Sequence, residues 1–224
     1  MATVTHERTF NAAGTELAGD LTLPDGAYGV VLFAHGSGSS RHSPRNRAVA
    51  AYLNRHGLGT LLVDLLTHEE EVRDEQTREL RFDIGFLADR LIGLVDWLVA
   101  DAGGGGAGQI GARDLPIGLF GASTGAAAAL VCAASRPRPV RAVVSRGGRP
   151  DLAGPALIQV AAPTLLLVGG EDGPVIDLNE QARNAMTVTA ELRIVAGATH
   201  LFEEPGALDT VAEEAATWFT THLR

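Results

Sequence analysis

The segment of residues 115–135 constrains the fold of this chain more than any other. It opens with the apolar run Leu115-Pro116-Ile117-Gly118-Leu119-Phe120, continues through Gly121-Ala122-Ser123-Thr124-Gly125, and ends in an alanine-rich run. The first run is typical of a strand buried on both faces, and the last has high helix propensity. A strand that turns directly into a helix is crowded at the turn, which favours the two glycines. The pattern therefore predicts a nucleophile elbow that presents the Ser123 hydroxyl at a helix N-terminus.

Strand and helix patterns alternate along the rest of the chain. Residues 3–10 and 15–23 alternate in polarity around a turn signal at residues 11–14, which predicts a β-hairpin. Apolar runs predict buried strands at residues 29–34, 59–65, 115–120, 140–144, 164–168 and 191–195. Helical spacing predicts helices at residues 44–55, 83–99, 126–135, 174–185 and 207–222, with a short helical piece at 155–159. Residues 68–81 are expected to form a highly charged connection, and residues 101–108 a flexible glycine-rich linker.

This alternation predicts an α/β fold with a mostly parallel, doubly wound sheet and an N-terminal antiparallel hairpin at its edge. The sequence has no internal repeat and no second domain boundary, so a single domain is expected over residues 1–224. The connection between the strands at 140–144 and 164–168 is too short for a large lid. An open cleft for small or flexible substrates follows.

The charge and composition limit which binding partners and which cellular compartment are expected. The net charge of -9 disfavours nucleic acid and anionic membrane surfaces. No apolar run approaches the roughly 20 residues that span a bilayer, and residues 1–10 hold no apolar signal core. A cytoplasmic location is therefore expected, as either a monomer or a homodimer. The single cysteine, Cys132, cannot form an internal disulfide and is expected to pack as a small hydrophobe.

Two further residues complete a catalytic arrangement with Ser123. A serine needs a base to take its proton and a third group to orient that base. Asp172 follows the apolar run 164–168, and His200 follows the last predicted strand. Parallel strands carry such loops at one edge of the sheet, and the chain order Ser123, Asp172, His200 is the order expected after an elbow. We therefore predict a Ser-His-Asp triad.

Alternatives remain open at each position. Asp172 also fits a structural turn, and Glu171 is its neighbouring rival. His200 combines a position after the last strand with a following helix, which the remaining histidines do not. Those histidines are His6, His35, His42, His56, His68 and His222. Among them, His35 is expected to brace the loop in which it lies.

An oxyanion hole requires two inward-pointing donors. The backbone amide of Thr124, directly after the nucleophile, is the first expected donor. The second is expected from the loop His35-Gly36-Ser37-Gly38, where glycines let amides turn into a cavity, and we assign it to Ser37.

These motifs together resemble the α/β-hydrolase fold, and within it the small lidless dienelactone hydrolase-like proteins. The resemblance rests on the His35-Gly36 loop, the elbow, the Gly170-Glu171-Asp172 turn and the Ala198-Thr199-His200 loop. Dienelactone hydrolases proper use a cysteine nucleophile, and Ser123 stands at that position. The resemblance therefore implies a general serine esterase rather than an enzyme for dienelactone itself.

The resulting hypothesis is a carboxylesterase-like serine hydrolase of class EC 3.1.1 that acts on a small ester without a metal or organic cofactor. A non-catalytic binding protein on the same fold remains an alternative, as does a thioesterase or peptidase. Arg146 and Arg149 follow a strand, where they either hold an acidic substrate group or lie in a solvated loop.

Two other sequence patterns are not expected to form a nucleotide-binding or metal-binding site. Gly103, Gly105 and Gly108 match G-x-G-x-x-G but precede a strand, the reverse of the nucleotide-binding context. The run His68-Glu69-Glu70-Glu71 lacks metal-ligand spacing and is expected to be a solvated charged face.

Overall fold

The computed structural model describes residues 3–100, 112 and 114–224. The strands are β1 Thr3–Ala12, β2 Thr15–Pro24, β3 Val30–Ala34, β4 Gly59–Val63, β5 Ile117–Ala122, β6 Val140–Arg146, β7 Thr164–Gly169 and β8 Ala190–Val195. The α-helices are α1 Pro44–Arg55, α2 His68–Thr77, α3 Ile84–Val99, α4 Thr124–Ser135, α5 Gly173–Ala185 and α6 Ala207–His222. Short 3-10 segments lie at Leu80–Phe82 and Pro150–Gln159. The linker expected at residues 101–108 lies outside the described residues.

Within the described part of the chain, eight strands form one sheet in the order β1-β2-β4-β3-β5-β6-β7-β8. Strands β3 to β8 run parallel to one another, whereas β1 and β2 pair antiparallel and β2 joins β4 antiparallel. The predicted fold class and the predicted hairpin are therefore confirmed. Strand β5 lies between β3 and β6, so the loops that follow all three strands meet at one edge.

The sheet is covered on both faces, which explains why its inner strands are apolar at every position. Strands β3, β4, β5 and β7 are buried throughout. One face packs against α3 and α4, and the other packs against α1 and α6. Two separate apolar cores result, one on each face of the sheet.

Residues 68–77 form helix α2, so the prediction of a charged connection there is wrong. Thr67 caps the helix: its hydroxyl accepts from the amide of Glu70 at 3.2 Å, and the Glu70 carboxylate accepts from the amide of Thr67 at 2.8 Å. Three glutamates in the first turn also favour the positive end of the helix dipole. The Thr-x-x-Glu spacing was a usable signal, outweighed by the charge of the segment.

The short connection between β6 and β7 agrees with the expected open architecture. The connection between β6 and β7 contains only the 3-10 segment Pro150–Gln159 and forms no large lid. Cys132 is buried in α4, and burial raises the pKa of its thiol to about 12. Among the helices of the described residues, none combines the length and the apolar character needed to cross a bilayer.

Candidate active site

Ser123 lies at the junction of β5 and α4 in a strained backbone conformation. Its φ of 51° and ψ of -123° lie in a region that residues with a side chain rarely occupy. The surrounding glycines are sterically required. A Cβ atom on Gly121 would lie 2.4 Å from Cα of Ala126, and one on Gly125 would lie 2.3 Å from the carbonyl oxygen of Ala34. The close approach of α4 to β3 and β5 therefore depends on both glycines.

The turn formed by residues 146–149 holds the strained serine at both of its backbone groups. The amide of Ser123 donates to the carbonyl of Arg146 at 3.3 Å, and the amide of Arg149 donates to the carbonyl of Ser123 at 3.1 Å. The amide of Gly147 donates to the carbonyl of Leu167 in β7 at 2.8 Å, which fixes the turn to the sheet. These backbone bonds offset the strain, which costs on the order of 1–3 kcal/mol at such positions.

The side chains of the two arginines in this turn differ in their exposure and in their hydrogen-bond partners. Arg149 forms a bidentate pair with Asp151, with both nitrogen–oxygen distances at 2.8 Å. The Arg146 side chain is 8% exposed, lies over the ring of Phe202, and leaves Nε and Nη1 without an acceptor among the described residues. Burial, together with the charge of Arg45, lowers the pKa of Arg146 to about 10. Arg146 is therefore not part of a solvated loop.

Asp172 and His200 are joined by a hydrogen bond of 2.7 Å between Asp172 Oδ2 and His200 Nδ1. Asp172 follows β7 at the start of α5, and its side chain is 15% exposed. A proton on Nδ1, the tautomer that a carboxylate partner favours, leaves Nε2 free to act as a base. Glu171, the neighbouring rival, is exposed and makes no side-chain hydrogen bond within the described part of the chain. The structure therefore brings Asp172 rather than Glu171 to the imidazole.

His200 and Ser123 both lie close to the turn of residues 146–149. A Cβ atom on Gly147 would lie 3.6 Å from Cε1 of His200, while the carbonyl of Arg146 accepts from Ser123. No hydrogen bond between the Ser123 hydroxyl and the His200 ring is formed among the described residues. Catalytic hydrogen bonds of this kind are commonly long before substrate binds.

The remaining histidines are not placed to serve as the base. His35 is buried: its Nε2 accepts from the amide of Leu65 at 3.1 Å, and its Nδ1 donates to the carbonyl of Gly36 at 3.0 Å. Burial lowers the pKa of His35, so the ring is neutral and ties the loop after β3 to the end of β4. In the described ranges, no hydrogen bond links Ser123 or Asp172 to any histidine of the set His6, His42, His56, His68 and His222.

The two expected oxyanion donors differ in whether their backbone amides are already hydrogen bonded. The backbone amide of Thr124, at the start of α4, has no hydrogen-bond acceptor among the described residues. The amide of Ser37, in contrast, donates to the side-chain hydroxyl of Thr124 at 3.1 Å. The Thr124 amide is therefore unpaired among the described residues, whereas the Ser37 amide is paired, and the oxyanion role of both stays a prediction. The contact between the Ser37 amide and the Thr124 hydroxyl was not visible in the sequence, because the two residues are 87 positions apart.

A pocket adjoins the loop that contains Ser37. Its lining residues are His35, Gly36, Ser37, Gly38, Ser39, Leu66, Glu71, Asp74, Arg81 and Leu87. Asp74 accepts from the Arg81 side chain at 2.5 Å and from the amide of Leu80 at 2.7 Å. Burial acts to raise the pKa of Asp74, but these hydrogen bonds outweigh it and lower the pKa overall. The ion pair keeps Arg81 at the wall of the pocket, which the sequence analysis missed together with α2.

The side chains of the described residues include no group of three or more His, Cys, Asp or Glu that could hold a metal ion. A mostly parallel sheet with a strained serine between strand β5 and helix α4 defines the α/β-hydrolase class. The sequence model of the dienelactone hydrolase family matches residues 109–222, and the chain belongs to this family.

Solved structures agree with this assignment. A dienelactone hydrolase from Anabaena variabilis is 55% identical, with a TM-score of 0.93, and the match covers 99% of each chain. The Est1E protein of Butyrivibrio proteoclasticus is 15% identical, with a TM-score of 0.73, over 96% of this chain and 98% of that chain. This second likeness shows the fold alone.

A longer protein of Mycobacterium tuberculosis is also similar to this chain. It bears the name "Putative phosphoribosyl transferase" and is 54% identical over 212 residues. The match covers 95% of this chain but 45% of the relative, so the chain spans less than half the length of that protein.

Proposed function

We propose that the protein is a serine hydrolase that cleaves the carboxylic ester of a small substrate through an acyl-enzyme intermediate. Its family and fold support an enzyme with hydrolytic activity. The observation that carries the finer assignment is the 2.7 Å hydrogen bond between Asp172 and His200, at the sheet edge that holds Ser123. An oriented imidazole beside a serine at an elbow is the arrangement that acyl transfer requires.

In the proposed first step, the Ser123 hydroxyl attacks the ester carbonyl carbon while His200 Nε2 takes its proton. Asp172 holds the ring by its bond to Nδ1 and stabilises the imidazolium that forms. The carbonyl oxygen becomes an anion in the tetrahedral intermediate, and the free amide of Thr124 donates to it. The N-terminal end of α4 adds a favourable dipole at the same place.

In the second half, His200 gives its proton to the leaving alcohol, and the acyl group remains on Ser123. Water then attacks the acyl carbon while His200 Nε2 takes its proton. The bond between the acyl carbon and Ser123 Oγ breaks, His200 returns the proton to Oγ, and the acid product leaves. Each step is a proton or acyl transfer that these side chains carry out. The absence of a large lid over the described site favours small or flexible substrates.

The transferase name of the mycobacterial relative belongs to a protein of which this chain matches less than half. That name describes the whole of the relative, of which this chain matches 45%. The arrangement around Ser123 instead suits acyl chemistry, which is why we assign hydrolysis to this segment.

The proposal is tested with the Ser123→Ala variant on short p-nitrophenyl esters. We expect a loss of turnover on the order of a million-fold, because a triad without its nucleophile keeps only residual catalysis. Ser135→Ala is the matched control, since Ser135 is exposed at the end of α4. Full activity in the Ser123 variant would refute the proposal.

A fluorophosphonate probe separates the enzyme from a binding protein on the same fold. Labelling that requires Ser123 supports the hydrolase, and failure to label the folded wild-type protein favours the binding protein. A panel of matched oxygen esters, thioesters and anilides, compared by kcat/KM, then discriminates between esterase, thioesterase and peptidase. The proposal expects the oxygen esters to react with the highest kcat/KM.

A further inference from the structure

The side-chain hydroxyl of Thr124 is bound on its acceptor side and free on its donor side. Its oxygen accepts from the amide of Ser37 at 3.1 Å. Among the described residues, no acceptor takes the proton of this hydroxyl. Thr124 is 5% exposed, so bulk water does not surround the group. A nearly buried hydroxyl whose proton has no acceptor is available to donate to a group that forms beside it.

The Thr124 hydroxyl belongs to the residue next to the nucleophile, near which the oxyanion forms in the proposed reaction. Thr124 directly follows Ser123, and its own amide points from the first turn of α4 without an acceptor. Ser37 belongs to the loop after β3, and Gly36 in that loop approaches Ser123 so closely that a Cβ would lie 3.1 Å from the serine Cβ. The Ser37 amide, the Thr124 hydroxyl and the Thr124 amide therefore all belong to residues that adjoin the nucleophile in the chain or through the loop after β3.

We propose that the Thr124 hydroxyl is a catalytic donor to the oxyanion, and that the Ser37 amide acts through it as a positioning group. The Ser37 amide donates to the hydroxyl oxygen, and the hydroxyl donates its proton in a hydrogen bond to the developing anion. A donor chain of this kind polarises its last member, which strengthens the final bond. Thr124 then supplies two donors, its amide and its hydroxyl. This inference rests on the proposed serine hydrolase.

A competing interpretation makes the opposite prediction about the same atom. The Thr124 oxygen could simply occupy the position at the Ser37 amide that the oxyanion later takes. In that case the hydroxyl has to leave before catalysis, and its removal would free the Ser37 amide. The sign of the change in kcat on removal of the hydroxyl therefore distinguishes the two interpretations.

The test compares Thr124→Val and Thr124→Ser in the full chain on p-nitrophenyl acetate. Valine keeps the shape and loses the hydroxyl, whereas serine keeps the hydroxyl. We expect the valine variant to lose about 100-fold or more in kcat with KM nearly unchanged, as other oxyanion donors do. The serine variant should keep most of the activity. Thr9→Val is the matched control, because Thr9 is exposed on β1.

A trifluoromethyl ketone provides a readout that a purely structural role would not change. This compound forms a tetrahedral oxyanion adduct with a serine nucleophile, so its inhibition constant should rise in proportion to the fall in kcat/KM. Should Thr124→Val not fold, Thr124→Ala replaces it, because the smaller side chain causes no overpacking. Thermal melts of each variant establish that the compared proteins are folded.

The outcomes separate this inference from the function on which it rests. A valine variant as active as the wild type, or more active, overturns the donor role while the hydrolase stands. A fall in kcat without a matching loss of inhibitor affinity also overturns it. A folded wild-type protein that neither hydrolyses esters nor labels at Ser123 overturns the proposed function and the donor role together.

Discussion

Gly147 lies against the loop that contains His200, so closely that a Cβ atom on Gly147 would lie 3.0 Å from the His200 carbonyl oxygen. The neighbouring residues Arg146 and Arg149 hydrogen bond to the two backbone groups of Ser123. One short turn after β6 therefore contacts both the proposed nucleophile and the proposed base. The two loops come from distant parts of the chain, and this turn sets the space between them.

A side chain at position 147 should impair activity more than stability. Gly147 has φ +50°, so Gly147→Ala costs about 1 kcal/mol in backbone strain and also pushes on the His200 loop. Gly154→Ala is the matched control, because Gly154 has φ +51° and nothing within 4 Å of the added Cβ. We expect both variants to lose unfolding free energy in urea, but a fall of about 10-fold or more in kcat/KM for Gly147→Ala alone. Equal activities in the two variants would contradict the role of the turn.

Removal of the Asp172 charge should abolish most of the activity. Asp172→Asn keeps the size of the side chain but no longer favours a proton on Nδ1 of His200, which leaves Nε2 without its lone pair for the serine proton. We expect a loss of about 10⁴-fold in kcat, as in other triads. Glu171→Gln is the matched control, and its kinetics should match the wild type. If Glu171→Gln suffered the larger loss in kcat, the assignment of the acid would be wrong.

The stability of the protein should depend on pH through His35. Burial lowers the pKa of His35 below its ordinary value of 6.5, so the unfolded chain binds a proton that the folded protein does not. The contribution is fully present above pH 6.5 and is lost as the pH falls from there toward the folded pKa. The free energy of unfolding, measured by urea titration from about pH 8 to pH 5, should decrease over that window.

The control for this pH effect is His35→Gln, which has no titrating group at position 35. We expect the variant to be less stable at every pH, because the bonds to Leu65 and Gly36 change. Its loss of stability between pH 6.5 and the acid end should nevertheless be smaller than that of the wild type. Parallel pH curves for the two proteins would show that His35 does not carry the effect.

Gly125→Ala should destabilise the fold itself. The added Cβ would lie 2.3 Å from the carbonyl oxygen of Ala34, a backbone atom that cannot rotate away. Overpacking against a backbone should cost about 3 kcal/mol, measured as a shift of the urea midpoint at constant slope. Gly173→Ala, where nothing lies within 4 Å of the Cβ, should leave the midpoint nearly unchanged. A wild-type midpoint in Gly125→Ala would mean that α4 can move away from β3.

Most of the fold could be predicted from local patterns. The hairpin and the buried strands have periodicities that a short segment displays unaided, and the elbow pairs an apolar run with a helix former around two glycines. The prediction for residues 68–77 was wrong because the charges of this segment favoured a solvated connection. The capping box that starts α2 depends on only two residues, Thr67 and Glu70. A capping signal of two residues is easily outweighed by the composition of a segment when the elements that pack against it are not known.

The chain order and residue types of Ser123, Asp172 and His200 were available from the linear sequence, since each residue follows an apolar run that predicts a strand end. The contact of Ser37 with the Thr124 hydroxyl and the close approach of Gly147 to the His200 loop were not. Those features depend on the distances between loops far apart in the chain, which arise once the sheet orders its strands and both cores pack. Local sequence therefore specifies the chemical groups, and long-range packing specifies which of them meet.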